Sequence, residues 1–390
     1  MDLEMSSRSK AESMQPVYLD HQATTPLDER VRDAMRSAGF GNPHSSEHIV
    51  GWEAAKKIEK AREQVAALIG ADADEVFFTS GATEANNLAI LGVRKFMRVS
   101  KDRILRTPIE HKSVLAACRA LSEEFGFEVS DLPVDRDGRV VLEAINRVVD
   151  PRTALISAGL VNSEIGVIQD IAAINSLKGD ALFHCDAAQG PAGVNIANLA
   201  AHCDMMALSA HKMRGPMGIG ALYIARDSQP QIAPILFGGE QQSGMRPGTL
   251  PLELCVGMGA ACELAASNDA ELQRIASVKD AFQKALRNNG VEFNLNGVKD
   301  LHLRHPGNFN ISIKGTDAKQ LLQLLQPKVA ASTGSACASG FQEPSYVLMA
   351  IGLTEEEASS SIRFSIGATT TKEDAIYAAV EIANALSRLV

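Results

Sequence analysis

The sequence predicts an α/β protein with a large, mostly parallel sheet covered by helices on both faces, followed by a smaller α+β unit. Three observations carry this. Between about residues 76 and 225, short β-branched runs alternate with stretches of helical period. Several of those runs are apolar throughout, as strands buried on both faces are. Past a long helical pattern near 251–290, the alternation gives way to shorter strands and a terminal helix.

The elements follow in order. The opening MDLEMSSRSKAESMQP has no apolar core, and its Asp2, Glu4 and Glu12 fit neither a secretory signal nor an acid-poor transit peptide. Residues 1–15 therefore read as a polar tail. EVFFTS (75–80) is the first strand, followed by an amphipathic helix in EANNLAILGVRKFM (84–97). RILRTP (103–108) precedes a second helix, SVLAACRALSEEFG (113–126). TALISAGLV (153–161), ALFHCDAA (181–188), MMALSAH (205–211) and GIGALYIA (218–225) complete the strand set. PLELCVGMGAACELAAS, running on to AFQKALRNNG, reads as one connector over about 251–290. The second unit holds strands VEFNLNG (291–297) and NFNISIKG (308–315), helix DAKQLLQLL (317–325), strand SIRFSIG (361–367) and a helix from about 373.

Composition narrows the functional classes. With 38 Lys and Arg against 47 Asp and Glu, the net charge is −9, and no basic stripe offers direct binding to nucleic acid or an anionic membrane. No apolar run approaches the roughly 20 residues that span a bilayer. Cys118, Cys185, Cys203, Cys255, Cys262 and Cys337 are scattered without a CxxC pair, so no disulfide framework is expected and a reducing cytoplasm is. FHC (183–185) and AHC (201–203) invite zinc, but their separation and strand-like surroundings predict buried small hydrophobes and no metal.

Four stretches carry chemistry, each with an ordinary alternative. In TSGATEANN (79–87) a small-residue turn opens a helix. The amides of Ala82 and Thr83, with the Thr83 hydroxyl, are candidate phosphate donors, against a plain N-cap by Thr83. In FHCDAAQG (183–190), Asp186 ends an apolar strand at the sheet edge where such folds bind ligands. It could pair with a pyridinium N–H while Gln189 reaches a neighbouring oxygen, against a helix cap in DAAQ. In LSAHKMRGPMGIGALYI (208–224), a desolvated Lys212 suits a Schiff-base nucleophile, with Ser209 and His211 as phosphate donors, against a snorkelling lysine. In IEHKSV (109–114), His111 could stack on a cofactor ring and carry protons, against a structural histidine. A pyridoxal phosphate enzyme needs the four together.

A fifth stretch, ASTGSACASG (331–340), sets Cys337 among small residues that cannot bury it. With VYLDHQATTPLDERV (17–31), VNSEIGVIQDI, GMRPGTLP and SIRFSIG, these motifs resemble aminotransferase class V proteins of the cysteine desulfurase family, over nearly everything past residue 15. STGSACAS (332–339) resembles the active-cysteine loop of the group I enzymes.

The resemblance implies a type I pyridoxal-phosphate fold. Residues 27–260 would form the large domain, and 16–26 with 261–390 the small one. It implies that Lys212 carries the cofactor, His111 stacks on it, Asp186 pairs with its nitrogen and Gln189 with its ring oxygen. Thr83, Ser209 and His211 would hold the phosphate, with Thr249 reaching that of a neighbouring subunit in a homodimer. Asn162 and Arg363 would bind the substrate carboxylate. Cys337 as thiolate would take sulfur from L-cysteine, leaving L-alanine and a persulfide for an acceptor protein; it could at most ligate an iron–sulfur cluster shared with a scaffold. Family members feed iron–sulfur assembly, tRNA thiolation or DNA phosphorothioation. Other readings are a class V transaminase or selenocysteine lyase, and a non-catalytic sulfur-carrier scaffold. Met217, Ser163, Cys185 and Ala368 depart from the residues usual in the family.

Overall fold

The computed structural model describes residues 16–334 and 344–389. The chain enters through a two-residue strand, β1 (Val17–Tyr18), and then builds one large sheet. Its strands are β2 (Val76–Thr79), β3 (Arg103–Arg106), β4 (Glu128–Asp131), β5 (Thr153–Ser157), β6 (Leu182–Asp186), β7 (Met205–Ser209) and β8 (Gly220–Ile224), in the order β2-β8-β7-β6-β5-β3-β4. From β7 through β4 every pairing is parallel, while β8 runs antiparallel to both β7 and β2. The reversal has a simple cause. The link from β7 to β8 is too short for a crossover of a dozen or more residues, so the two strands form a hairpin-like pair.

Several elements escape the sequence reading, among them an edge strand and the longest helix. β4 forms an edge, with Glu128 and Asp131 exposed, so nothing required it to be apolar. The longest helix, Ile49–Ile69, lies where no element was assigned. Ala54, Ile58, Ala61, Val65, Leu68 and Ile69 make its buried stripe, His48 caps its start, and Gly70 at φ +77° ends it in the left-handed region.

Two other expectations need correction. The connector is two helices, Leu252–Ala265 and Asp269–Asn288, interrupted near Ser267 and Asn268. The first buries Leu252, Cys255, Met258 and Cys262 in the core beneath the large sheet. The second buries Ile275, Val278 and Phe282 in a separate core. The break lets one chain serve both. The helix read over 84–97 is α-helical only over Ala82–Gly92 and tightens to 3₁₀ over Val93–Val99.

The second unit pairs β9 (Asn294–Leu295), β10 (Asn308–Ser312) and β12 (Ser361–Ser365) as an antiparallel sheet, while β11 (Val329–Ala330) pairs in parallel with β1. Its core sets Phe282 edge-on to Phe309 and Phe364, at 5.8 and 5.2 Å between centroids. Leu19 of the N-terminal segment is buried in this core. Cys185 and Cys203 are buried in the large core as small hydrophobes. Among the described residues no helix is long and apolar enough to cross a membrane.

Candidate active site

Strand register assembles the site. Thr79 pairs with Gly220, and Gly220 with Ser209, so the turns leaving β2 and β7 meet at one edge of the sheet. Asp186 ends β6 at the same edge. Gly220 permits the close approach: a Cβ there would lie 2.5 Å from Leu208 O and 2.7 Å from Gly81 Cα. Ala82, Thr83, His111, Asn162, Asp186, Gln189, Ser209, His211, Lys212 and Arg363 all line one cavity of about 700 Å³ at this edge.

Thr83 is not the helix cap. The cap is Gly81, at φ +148°, which has no side chain to satisfy the first amides of Ala82–Gly92. Those amides, with the positive end of the helix dipole behind them, form a ready anion cradle. Asp186 is anchored at both oxygens: Oδ1 accepts from Ala188 N at 3.0 Å and Oδ2 from Asn86 Nδ2 at 2.8 Å. The Ala188 bond closes a turn, and no helix follows β6 there, so Asp186 is not the helix cap that DAAQ also allowed.

Lys212 does not snorkel. Its Nζ donates to Gln22 O at 2.5 Å and to Ala23 O at 2.7 Å. Burial, reinforced by the Arg363 charge, pushes the amine down to about 8 despite Asp186 and Asp20. His211 is pushed down to about 4, by burial and then by Lys212, and its Nδ1 lies 3.1 Å from Thr24 Oγ1. Gln189 Nε2 donates to Gln22 O at 2.8 Å.

Arg363, on β12, is the cation that the second unit brings to the cavity. Its Nη2 donates to Asp20 Oδ1 at 2.6 Å and Ser332 Oγ at 2.9 Å, and its Nη1 to Ser163 O at 2.9 Å. Its Nε is buried without a partner among the described residues. Asn162 spends much of its amide on its own turn: Oδ1 accepts from Glu164 N and Ile165 N, both at 2.9 Å, and Nδ2 donates to Ile109 O at 2.8 Å. One Nδ2 hydrogen remains for a ligand.

Thr249 is exposed and does not line the cavity. Cys337 lies outside the described residues. Of the unusual positions, Ser163 lines the cavity and its carbonyl accepts from Arg363, Met217 is an exposed part of the cavity wall, and Ala368 O accepts from Arg274 Nη2 at 2.5 Å.

Several site residues have no sequence prediction behind them. Gln22 reaches Lys212 and Gln189 from the far end of the chain. Glu110 is fully buried, accepts through Oε1 from Thr107 Oγ1 at 2.5 Å and Gly159 N at 2.8 Å, and is pushed up to about 7 by burial. Glu164 is also pushed up to about 7 by burial, and its Oε1 is buried without a partner among the described residues. A carboxylate beside a histidine in PIEHKSV was the available signal for Glu110. Asn86, in a helix face otherwise buried by apolar residues, was another.

Comparison with known proteins agrees with this geometry. Residues 17–377 match the family described as aminotransferase class-V. A mouse (Mus musculus) protein described as cysteine desulfurase is 44% identical over 388 residues, 98% of this chain and 84% of that protein. A solved structure of a NifS-like protein superposes with a TM-score of 0.87 at 32% identity, covering 96% of this chain and all of the other. Another, described as SspA in complex with cysteine, gives 0.78 at 33% identity, covering 91% of this chain and 99% of the other. The chain belongs to the aminotransferase class-V family, within its cysteine desulfurases.

Proposed function

We propose that this chain is a pyridoxal-phosphate-dependent cysteine desulfurase that converts L-cysteine to L-alanine and carries the sulfur as a persulfide on Cys337. What supports the reading is one convergence: a buried amine, an anchored carboxylate and an uncapped helix N-terminus line the same cavity. That donor set fits the cofactor. The amides of Ala82 and Thr83, with Ser209 and His211, suit its phosphate, Asp186 its ring nitrogen, Gln189 its ring oxygen and Lys212 its aldehyde. When bound, pyridoxal phosphate supplies a sink for the electron pair left by a departing α-proton.

The chain's own residues do the rest. The Arg363 fork suits the substrate carboxylate, with Asp20 fixing the orientation of its Nη2. The Lys212 amine, held near 8, has a substantial neutral fraction at physiological pH and can take the α-proton. Cys337, as thiolate, attacks the substrate Sγ. An S–S bond forms as the Cβ–Sγ bond breaks, the bonding pair stays with the carbon fragment, and that fragment takes a proton to leave as alanine.

Thr249, exposed and off the cavity, is available to reach the phosphate of a second subunit in a homodimer. The persulfide passes to an acceptor protein, in a cytoplasm where five described cysteines stay unpaired. Purified protein incubated with L-cysteine and a reductant is expected to release sulfide and alanine in equal amounts. Cys337→Ala is expected to abolish both while keeping the cofactor's absorbance. Alanine formed only when a keto acid is added would point to a transaminase, and full activity in Cys337→Ala would remove the assigned nucleophile.

A further inference from the structure

His111 is tied to Asp186 through two side chains, Asn86 and Ser113. Asn86, fully buried in the Ala82–Gly92 helix, donates from Nδ2 both to Asp186 Oδ2 at 2.8 Å and to Ser113 Oγ at 2.9 Å. Ser113 Oγ lies 2.8 Å from His111 Nδ1, and Ser113 N donates to the same Nδ1 at 3.2 Å.

The direction of every proton in this chain follows from what each group can do. A carboxylate only accepts, so the amide must present its NH₂ to Asp186; the reverse orientation would set two oxygens together. Asn86 Oδ1 is accordingly left buried without a partner among the described residues. Both hydrogens of Nδ2 are then committed, one of them to Ser113 Oγ. With that oxygen accepting, the Ser113 hydroxyl proton is free to donate, and His111 Nδ1 is the ring nitrogen within reach. The Ser113 backbone N–H, which cannot rotate, already points at that nitrogen, because His111 is the N-cap of helix Lys112–Phe125. An atom receiving two donors carries no proton of its own.

We propose that Asn86 and Ser113 are positioning residues that hold His111 as the neutral Nε2–H tautomer, so that its ring meets the substrate as a hydrogen-bond donor. This changes the role expected from sequence, in which His111 carries protons. A ring with Nε2 protonated and Nδ1 capped has no site at which to take another proton without breaking the cap. Proton acceptance therefore rests with Lys212. Only the consequence for turnover depends on the desulfurase reading; the tautomer does not.

The test reads the ring directly. Full-length holoprotein, deuterated and labelled with ¹⁵N-histidine, is examined at pH 7.5 by long-range ¹H–¹⁵N correlation, with His111 assigned by its loss in His111→Gln. A pyridine-type Nδ1 and a pyrrole-type Nε2 are expected. Ser113→Ala is expected to give a tautomer mixture and to lower kcat roughly 5- to 10-fold, the scale of one neutral hydrogen bond, with KM for L-cysteine unchanged. Ser113→Thr is expected to restore both. Asn86→Ala, which leaves the Ser113 hydroxyl undirected, is also expected to give a mixture. A protonated Nδ1 in the unmodified protein overturns the proposal, as does a Ser113→Ala variant with the tautomer unmoved; an unmoved tautomer in Asn86→Ala removes Asn86 from it. If the unmodified protein made no alanine, the desulfurase reading would fail while the nitrogen shifts still decided the tautomer.

Discussion

Glu110 accepts two hydrogen bonds through one oxygen and is held near 7, against an ordinary 4.5. A carboxylate raised by folding favours the native state in its protonated form. Its contribution is fully present below about 4.5 and is lost as pH rises through about 7. Glu110→Gln keeps an oxygen for Thr107 and Gly159 but cannot ionise. The variant is therefore expected to gain stability over the unmodified protein as pH rises from 5 to 8, by on the order of 2 kcal/mol. Calorimetry at several pH values measures this, and a constant difference between pH 5 and 8 would refute it. Lys212 shifts in the opposite sense. Because burial lowers it to about 8, its neutral form becomes available more than two pH units earlier than for a free lysine near 10.5. The rate at which apoprotein takes up pyridoxal phosphate should therefore climb through about pH 8, followed by absorbance in a stopped-flow instrument. A climb centred near 10.5 would mean that the amine is not desolvated. Lys212, Asp186 and His111 were legible because each sits in a short run whose strand or turn context is local. Gln22 was not, since Gln189 and Lys212 lie 167 and 190 residues from it; Asn86 stood out in its helix, but nothing local named Asp186, 100 residues on, as its partner.

At the scale of elements, the vulnerable place is β2, an edge strand whose turn supplies the anion cradle. An unpaired edge invites association with other chains. Here a side chain closes it. Gln242, at φ 51°, accepts from Phe78 N at 2.7 Å and donates to Phe78 O at 2.9 Å, standing where a neighbouring strand residue would. Arg62 Nη1 supports it, donating to Gln242 Oε1 at 3.2 Å and to Val76 O at 2.5 Å. Gln242→Ala is expected to cost about 1–2 kcal/mol and to speed hydrogen exchange at the Phe78 amide. Unchanged exchange there would mean that the edge is protected by something else. No periodicity could announce this device, because it is a tertiary contact from an irregular loop. The same limit explains β4, whose polar edge position leaves no apolar run to read. The break at Ser267 and Asn268 is different in kind: the local propensity for interruption was present, but only the packing of the two helices into different cores gives it a consequence.

At the scale of the whole molecule, the core beneath the large sheet and the core of the second unit must hold one site, and the N-terminal segment couples them. Its first residues belong to the small unit: Leu19 N donates to Ala330 O at 2.8 Å, His21 N to Ser365 O at 3.2 Å, and Gln22 N to Ser365 Oγ at 2.9 Å. Its next residues belong to the loop that carries Lys212. Gln22 O and Ala23 O receive the lysine, Thr25 N and Thr25 Oγ1 both donate to His211 O, and Arg214 N donates to Thr25 Oγ1 at 2.8 Å. A shift of one core against the other would therefore pull on the lysine loop as well as on Arg363. Thr25 is the point at which this coupling can be cut without changing side-chain volume. In Thr25→Val the Thr25 N bond to His211 O survives, but Arg214 N loses its acceptor and His211 O one of its donors. The expected cost is about 1–2 kcal/mol of stability, with a weaker hold on pyridoxal phosphate because the loop bearing Lys212 and His211 is less well placed. Denaturant unfolding and equilibrium dialysis of the cofactor measure the two effects separately. Loss of stability without loss of affinity would make the segment a fastening for the fold alone, and wild-type values of both would show that the lysine loop holds its position without it.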